Sequence, residues 1–343
     1  MSFLNKIIHS YSLERKIKRW SFNHKPVFIV GHTRTGTTVL ARTMLKCPVF
    51  INLPNVPETN IFIRPQTLLF LDKAYSGKHI KLLSKKEIMR MNLEKGRKSY
   101  FNYLPKENIK LFYKDISPSL DDHFKLTENN IALHPIPDNY SEIWKIRGYK
   151  KLITKFLYMS SQYYENKRII EKTPAHIKTV PQILSCFPNA TIIICLRDPV
   201  EILASIRERA QKEYEKYGKV DDWLLISLDK YISNFIKLHS ISKMVLTQYS
   251  NNIILSRYND FTCAPEVHIS WILKQLGIES TNSELVKYML SGKNNNSFPD
   301  ELLGADVQIN KKDPLKYLSQ SEIELIQNKL IDVYKCWQIE KKY

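Results

Sequence analysis

Residues 31–38 read GHTRTGTT, after the apolar run PVFIV and ahead of TTVLARTML. Gly31, four residues, Gly36 and a hydroxyl at Thr38 fit the spacing of the nucleotide loop G-x-x-x-x-G-K-[ST]. Thr37 stands where that loop carries lysine. A glycine turn at a helix N-terminus aims several N–H groups and the positive end of the dipole at an anion, whatever its side chains. The lysine serves a narrower purpose, reaching the β- and γ-phosphates of a triphosphate. Here the cation sits at Arg34, near the middle of the loop. Phosphate capture without triphosphate chemistry is what this loop suits. A second anion site is encoded in CLRDPVEILAS, with Arg197 at the end of an apolar run and Ser205 eight residues on. Two alternatives stay open there: a real anion site, or Arg197 paired with Asp198 or Glu201 beside a Ser205 on a helix surface.

The elements that must position these residues follow from periodicity. A strand at 27–31 and a crossover helix at 37–46 flank the loop. RIIEK (168–172) reads as a short strand, AHIKTVPQILSCF as a helix and ATIIICLRD as a buried strand. The next helix, PVEILASIRERAQ, opens with Pro199, which suits a first helical turn. A helical stretch at 222–248, a strand in NNIILSRYND, and helices near 265–276 and 320–336 complete the chain, around the polar loop SGKNNNSFPDELLG. Apolar strands alternating with helices predict an α/β fold with a central parallel sheet flanked by helices. Arg197 then lies at the carboxyl end of a strand, where open α/β sheets bind ligands. Residues 60–165, rich in Tyr, Lys and Leu, read as a mainly helical insertion. With no internal repeat and no long linker, residues 1–343 are expected to form a single domain.

The chain has 343 residues, 43% of them hydrophobic, enough for a sizeable core and too many for wholesale disorder. Lys plus Arg outnumber Asp plus Glu by 52 to 34, a formal charge of +18 that favours an anionic partner. The basic residues are dispersed, and neither zinc-finger spacing nor an aromatic RNA-binding signature occurs, so no nucleic-acid partner is expected. Cys47, Cys186, Cys195, Cys263 and Cys336 are odd in number and widely spaced, which reads as reduced, buried thiols in a cytoplasmic protein. No CxxC or HExxH occurs, so no metal is expected. No run reaches the ~18–20 apolar residues of a membrane span, and the N-terminus lacks a signal-peptide pattern. Residues 1–24 form a basic segment with Phe3, Leu4, Ile7, Ile8 and Tyr11 on one helical face. Two readings fit: a helix packed on the domain, or peripheral contact with anionic lipid at the inner membrane face.

Taken together, these motifs resemble the sulfotransferases that use 3′-phosphoadenosine 5′-phosphosulfate (PAPS), particularly the bacterial and Golgi-type glycan and protein branch. The family loop P-[RK]-S-G-T-[TS], which binds the 5′-phosphosulfate, is matched by Thr33, Arg34, Thr35, Gly36, Thr37 and Thr38. Its R-[DN]-P…S element for the 3′-phosphate is matched by Arg197, Asp198, Pro199 and Ser205. EKTPAH…FPNATIIICLRDP carries Lys172 in the family's strand-end lysine position, and LSRYNDF resembles the Y-E-D-[LF] segment, which puts Tyr258 near the adenine. The matches run in order from residue 26 to residue 262. Thr33 replaces proline, Thr35 serine, and Asn259 an acidic residue.

The resemblance implies a P-loop-NTPase-like three-layer fold and PAPS as co-substrate, with the bisphosphate PAP as product and no metal. Charge growing on the leaving phosphate calls for fixed cations, and the resemblance points to Arg34 and Lys172. A hydroxyl or amino acceptor also needs a base within hydrogen-bond reach. Glu58, beyond the crossover helix, is the first candidate, and His176, four residues after Lys172, is its rival. The expected acceptor is a glycan, a glycolipid or a small-molecule secondary metabolite, with Tyr100, Tyr103, Tyr113 and Trp144 of the insertion lining its site. A P-loop kinase of small molecules and a non-catalytic nucleotide- or polyanion-binding module remain as alternatives.

Overall fold

The computed structural model describes residues 3–52, 58, 61–63, 149–163, 165–278, 283–291 and 313–340. Most of the expected insertion, including Tyr100, Tyr103, Tyr113 and Trp144, lies outside them. Among the described residues five strands form one sheet in the order β2-β3-β1-β4-β5: β1 Val27–Gly31, β2 Phe50–Asn52, β3 Arg168–Lys172, β4 Thr191–Leu196 and β5 Ile253–Arg257. β2 pairs parallel with β3 (Ile51 opposite Ile169), and β4 with β5 (Ile194 opposite Leu255). Every residue of β1 is buried, as expected of a parallel strand covered on both faces. β2 went unforeseen because three residues are too few for a periodic signal.

The chain divides into two compact units. The described part of the first holds α1 (Phe3–Asn23), β2, α3 (Tyr149–Tyr163), β3, a 3₁₀ turn (Pro174–Thr179) and α4 (Val180–Cys186). The turn and α4 replace the one helix expected across these residues. Pro181 in the first turn of α4 has no N–H for a preceding helix, so the helix starts afresh there. α1 packs on α3 through Trp20, which stacks on His24 at 4.4 Å and meets Tyr158 and Phe187 edge-on. His24 accepts the Ile169 N–H (3.4 Å), joining the end of α1 to β3. The side chains of Phe3, Leu4, Ile7, Ile8 and Tyr11 lie outside the described residues, while Arg15, Lys16, Lys18 and Arg19 are exposed.

The second unit holds β1 from Phe28, α2 (Thr37–Leu45), β4, α5 (Pro199–Tyr217), α6 (Leu228–Gln248), β5, α7 (Tyr258–Cys263), α8 (Pro265–Gln275), α9 (Ser283–Leu290), α10 (Gln320–Lys329) and α11 (Ile331–Trp337). α5 lays Val200, Ile202, Leu203 and Ile206 into the core. It is fastened to α10 by Arg207, which grips both Glu322 oxygens at 2.9 and 2.6 Å. That grip holds the Glu322 carboxyl down at about 2. Ser319 and Glu322 form a reciprocal capping box at the start of α10. The helix expected at 320–336 breaks at buried Leu330, whose φ of −107° is not helical. The strand expected through NNIILSRYND stops at Arg257, and Tyr258 begins a helix instead. All five cysteines are free. Cys47, Cys186 and Cys195 are buried, but Cys263 and Cys336 are exposed, which corrects the expectation of uniformly buried thiols. Among the described residues no helix is long and apolar enough to cross a membrane.

Candidate functional site

The loop of the second unit is shaped by two glycines. A Cβ on Gly31 (φ +148°) would sit 2.6 Å from the Cys195 carbonyl oxygen of β4. At Gly36 (φ +89°) it would sit 2.5 Å from the Tyr258 ring. Neither position has room for a side chain. Thr35 closes the turn by donating its hydroxyl to the His32 carbonyl (2.7 Å). Gly36 caps α2 in the left-handed conformation, with Thr37 and Thr38 opening the helix. The N–H groups of that first turn lack intrahelical acceptors, which makes this end an anion cradle. Thr33 is exposed, whereas Thr35 and Thr37 are buried.

Arg34 also has a positive φ, +67°, a conformation that costs a non-glycine residue on the order of 1 kcal/mol or more. Its neighbours hold it there. Its Nε donates to Ser205 Oγ (3.1 Å), and its carbonyl accepts from the Arg197 guanidinium (3.1 Å). Burial, then the charges of Arg209 and Arg197, lower the Arg34 guanidinium below its usual range, and Glu208 partly opposes them. Three cations thus lie near one another, with Glu201 on Arg197 and Glu213 on Arg209 as their counter-charges.

Arg197 is fixed on three sides. Its Nε donates to Glu201 (2.9 Å), its NH1 to the Arg34 carbonyl, and its plane lies over the Tyr258 ring at 4.2 Å. The Glu201 pairing foreseen as one alternative thus exists, and Ser205 is buried rather than on a helix surface. The Tyr258 ring has Gly36 against it and the Arg197 guanidinium over it. Residues far apart in sequence, 34, 197, 205 and 258, therefore meet.

Beneath Arg197, Asp198 caps α5 by accepting the Val200 N–H (2.8 Å) and also accepts the Tyr334 hydroxyl (2.8 Å). Tyr231, fully buried, donates to the Pro199 carbonyl (2.6 Å). Both phenols are pushed above their ordinary range by burial, then by Asp198. The Asp-Pro pair was a legible helix start. Tyr231 and Tyr334 left no signal in the sequence.

The first unit carries the other candidates. Lys172, 5% exposed at the end of β3, donates to Glu58 Oε1 at 2.8 Å, and the Glu58 side chain is 41% exposed. His176 is fully buried on the 3₁₀ turn. Its Nδ1 lies 2.8 Å from Glu171 Oε2, and its Nε2 meets the Phe62 backbone N–H at 3.3 Å. Glu171 also accepts the Thr173 hydroxyl (2.6 Å). Both ring nitrogens are engaged, whereas Glu58 reaches solvent. Sequence reasoning missed Glu171, Thr173 and Phe62, because a carboxylate inside an apolar strand reads as a surface residue until its partner is known.

A model of the sulfotransferase family matches residues 26–282. The omega-hydroxy-beta-dihydromenaquinone-9 sulfotransferases Stf3 of Mycobacterium bovis and Mycobacterium tuberculosis are 22% identical to this chain over 274 residues, which is 77% of this chain and 66% of theirs. This chain thus spans just under two thirds of the length of those relatives. Among solved structures, sulfotransferase STF9 from Mycobacterium avium is similar with a TM-score of 0.52 at 15% identity, covering 97% of this chain and 82% of that one. The last likeness concerns the fold.

Proposed function

Because the chain belongs to the sulfotransferase family, we propose that it moves a sulfuryl group from PAPS to a hydroxyl acceptor, the whole chain acting as one sulfotransferase domain. The observation that carries this reading is the convergence of Arg34, Ser205, Arg197 and Tyr258 around a lysine-free glycine loop. A nucleotide with phosphates at both ends needs two anion sites near one another. The amides of residues 34–38 suit the 5′ end, and Arg197 with Ser205 suits the 3′-phosphate. The Arg34–Ser205 hydrogen bond couples the two.

In the reaction, the bond from sulfur to the bridging oxygen of PAPS breaks and a bond to the acceptor oxygen forms. PAP leaves with the added negative charge, which Arg34 and Lys172 stabilise. Glu58 takes the acceptor proton, since its carboxylate is exposed and held by Lys172. His176, with both nitrogens occupied, does not serve as the base. Tyr258 stacks on Arg197, so its first duty is to orient that guanidinium, with the adenine as a neighbour. No metal enters.

The acceptor class we favour is a carbohydrate, glycolipid or other small molecule bearing an accessible hydroxyl. The mycobacterial relatives are named for an omega-hydroxyl substrate, which supports an alcohol over an amine. We place the enzyme in the cytoplasm, with the exposed Lys16, Lys18 and Arg19 of α1 facing anionic lipid headgroups. The test is transfer of labelled sulfuryl from PAPS to a panel of sugars, glycolipids and long-chain alcohols. Labelled sulfate ester in any pool supports the reading. Nucleotide binding without transfer would support the binding module, and phosphoryl transfer from ATP the kinase.

A further inference from the structure

The buried Glu171–His176 pair has no part in the chemistry described above, although it sits one residue from Lys172. We infer that this pair is a positioning device that fixes the backbone of residues 61–63 and thereby limits where Glu58, three residues before, can sit. The inference rests on the proposed role of Glu58 as base.

Four observations support it. His176 Nε2 lies 3.3 Å from the Phe62 N–H, an arrangement in which the ring nitrogen must accept. The ring proton therefore sits on Nδ1 and is donated to Glu171 Oε2 at 2.8 Å. Glu171 is kept in place by the Thr173 hydroxyl on its other oxygen, at 2.6 Å. Finally, the Phe62 ring meets the imidazole edge-on at 5.5 Å, and Ile61, Phe62 and Ile63 are all buried.

A carboxylate and an imidazole in the interior are costly to bury. A larger apolar side chain at position 176 would fill space without satisfying the Phe62 amide. The polar pair gives that backbone one acceptor at one place. Adjacent residues of β3 thus divide the work: Lys172 holds the Glu58 carboxylate directly, and Glu171 holds the histidine that fixes the chain three to five residues further on. A base held at its side chain by Lys172, with a fixed backbone beginning three residues on, has less freedom to leave its angle of attack. Misplacement by about 1 Å costs such a group on the order of 10²-fold in rate.

Two measurements on the full chain test this. The first is amide hydrogen exchange at Phe62 in wild type, His176→Ala and His176→Gln. Exchange should rise about tenfold or more in His176→Ala and return part of the way in His176→Gln, whose amide oxygen can accept the same N–H. Unchanged exchange in His176→Ala overturns the anchor. The ring ¹⁵N shifts of His176 in the wild type should report the proton on Nδ1, and a proton on Nε2 overturns it without any variant. The second measurement is single-turnover release of sulfate from labelled PAPS with water as the acceptor. His176→Ala should slow it about 10–100-fold while PAP affinity and the pH–rate limb of the base stay as in wild type, and His176→Gln should regain part of the rate. Loss of that limb would make His176 the base itself, and a normal rate per folded molecule would reduce the pair to plain core packing; either outcome overturns positioning. If the wild type releases no sulfate to water, transfer to the acceptor panel decides the sulfotransfer reading, and the exchange data still decide whether the anchor exists.

Discussion

Around Arg34 and Arg197 the backbone does the holding: two glycines that admit no side chain, a positive φ at Arg34 and a carbonyl gripped by Arg197. Around Glu58 and Lys172 the side chains do it, through the chain Thr173–Glu171–His176–Phe62 and one lysine–carboxylate bond. The first arrangement suits the binding of an invariant anion, whose shape never changes between substrates. The second suits a side chain proposed to move a proton, which is held by its neighbours' side chains. Grip and proton transfer should therefore fail separately.

Glu58→Gln gives the largest expected effect. It should cut transfer by about 10²–10⁴-fold and leave PAP affinity unchanged, as read by single-turnover transfer beside calorimetry. A folded variant with near-normal transfer would remove Glu58 from the chemistry. Arg34→Ala comes next, with turnover falling about 10²–10³-fold and affinity only a few-fold, because the amides of the loop keep most of the grip. Lost binding with full turnover at saturation would move Arg34 to the binding side alone.

Gly36→Ala sharpens the other half of the contrast. A Cβ there meets the Tyr258 ring at 2.5 Å in a backbone conformation that already disfavours it. About 1–3 kcal/mol of strain is expected, so PAP should bind roughly 10–100-fold more weakly. Tyr258→Ala in the same chain should recover part of that loss, a coupling read from a double-mutant cycle. Additive effects would mean that the ring and the loop are not in register.

How legible this was depended on which kind of holding was at work. The glycine loop announces itself because its conformation restricts residue types at fixed spacing, and Arg197, Asp198 and Pro199 announce a strand end followed by a helix start. The Arg34–Ser205 bond spans 171 residues and has no local trace. Glu171 and His176 are five residues apart on a strand and a 3₁₀ turn, a geometry with no periodic signature. Tyr258 could be singled out from its match to the family segment, but its place on Arg197 depends on β5 ending at Arg257, the residue before it. The sheet itself was readable from its apolar runs, except for the three residues of β2.

Acid should act on the Glu58 unit through His24. Burial, and then the Arg168 guanidinium, hold that imidazole down at about 4, against 6.5 in an unfolded chain. Between those values the unfolded state binds more protons, so stability is full above the upper one and is lost as pH falls toward the lower. Exchange protection at the α1–β3 junction should weaken across that window, with a Tm lower by about 5 °C. His24→Asn should flatten the dependence, and an unaltered acid slope in that variant would show that another group is responsible.

The central claim is that Arg197 and Ser205 read a second phosphate. Calorimetry of adenosine 3′,5′-bisphosphate beside 5′-AMP and magnesium ATP tests it most directly. One charge-assisted hydrogen bond contributes about 1.5–3 kcal/mol, so the bisphosphate should bind about tenfold or more tightly than 5′-AMP, and Arg197→Ala should erase the difference. Equal affinity for the two, or tighter binding of magnesium ATP, would contradict the account.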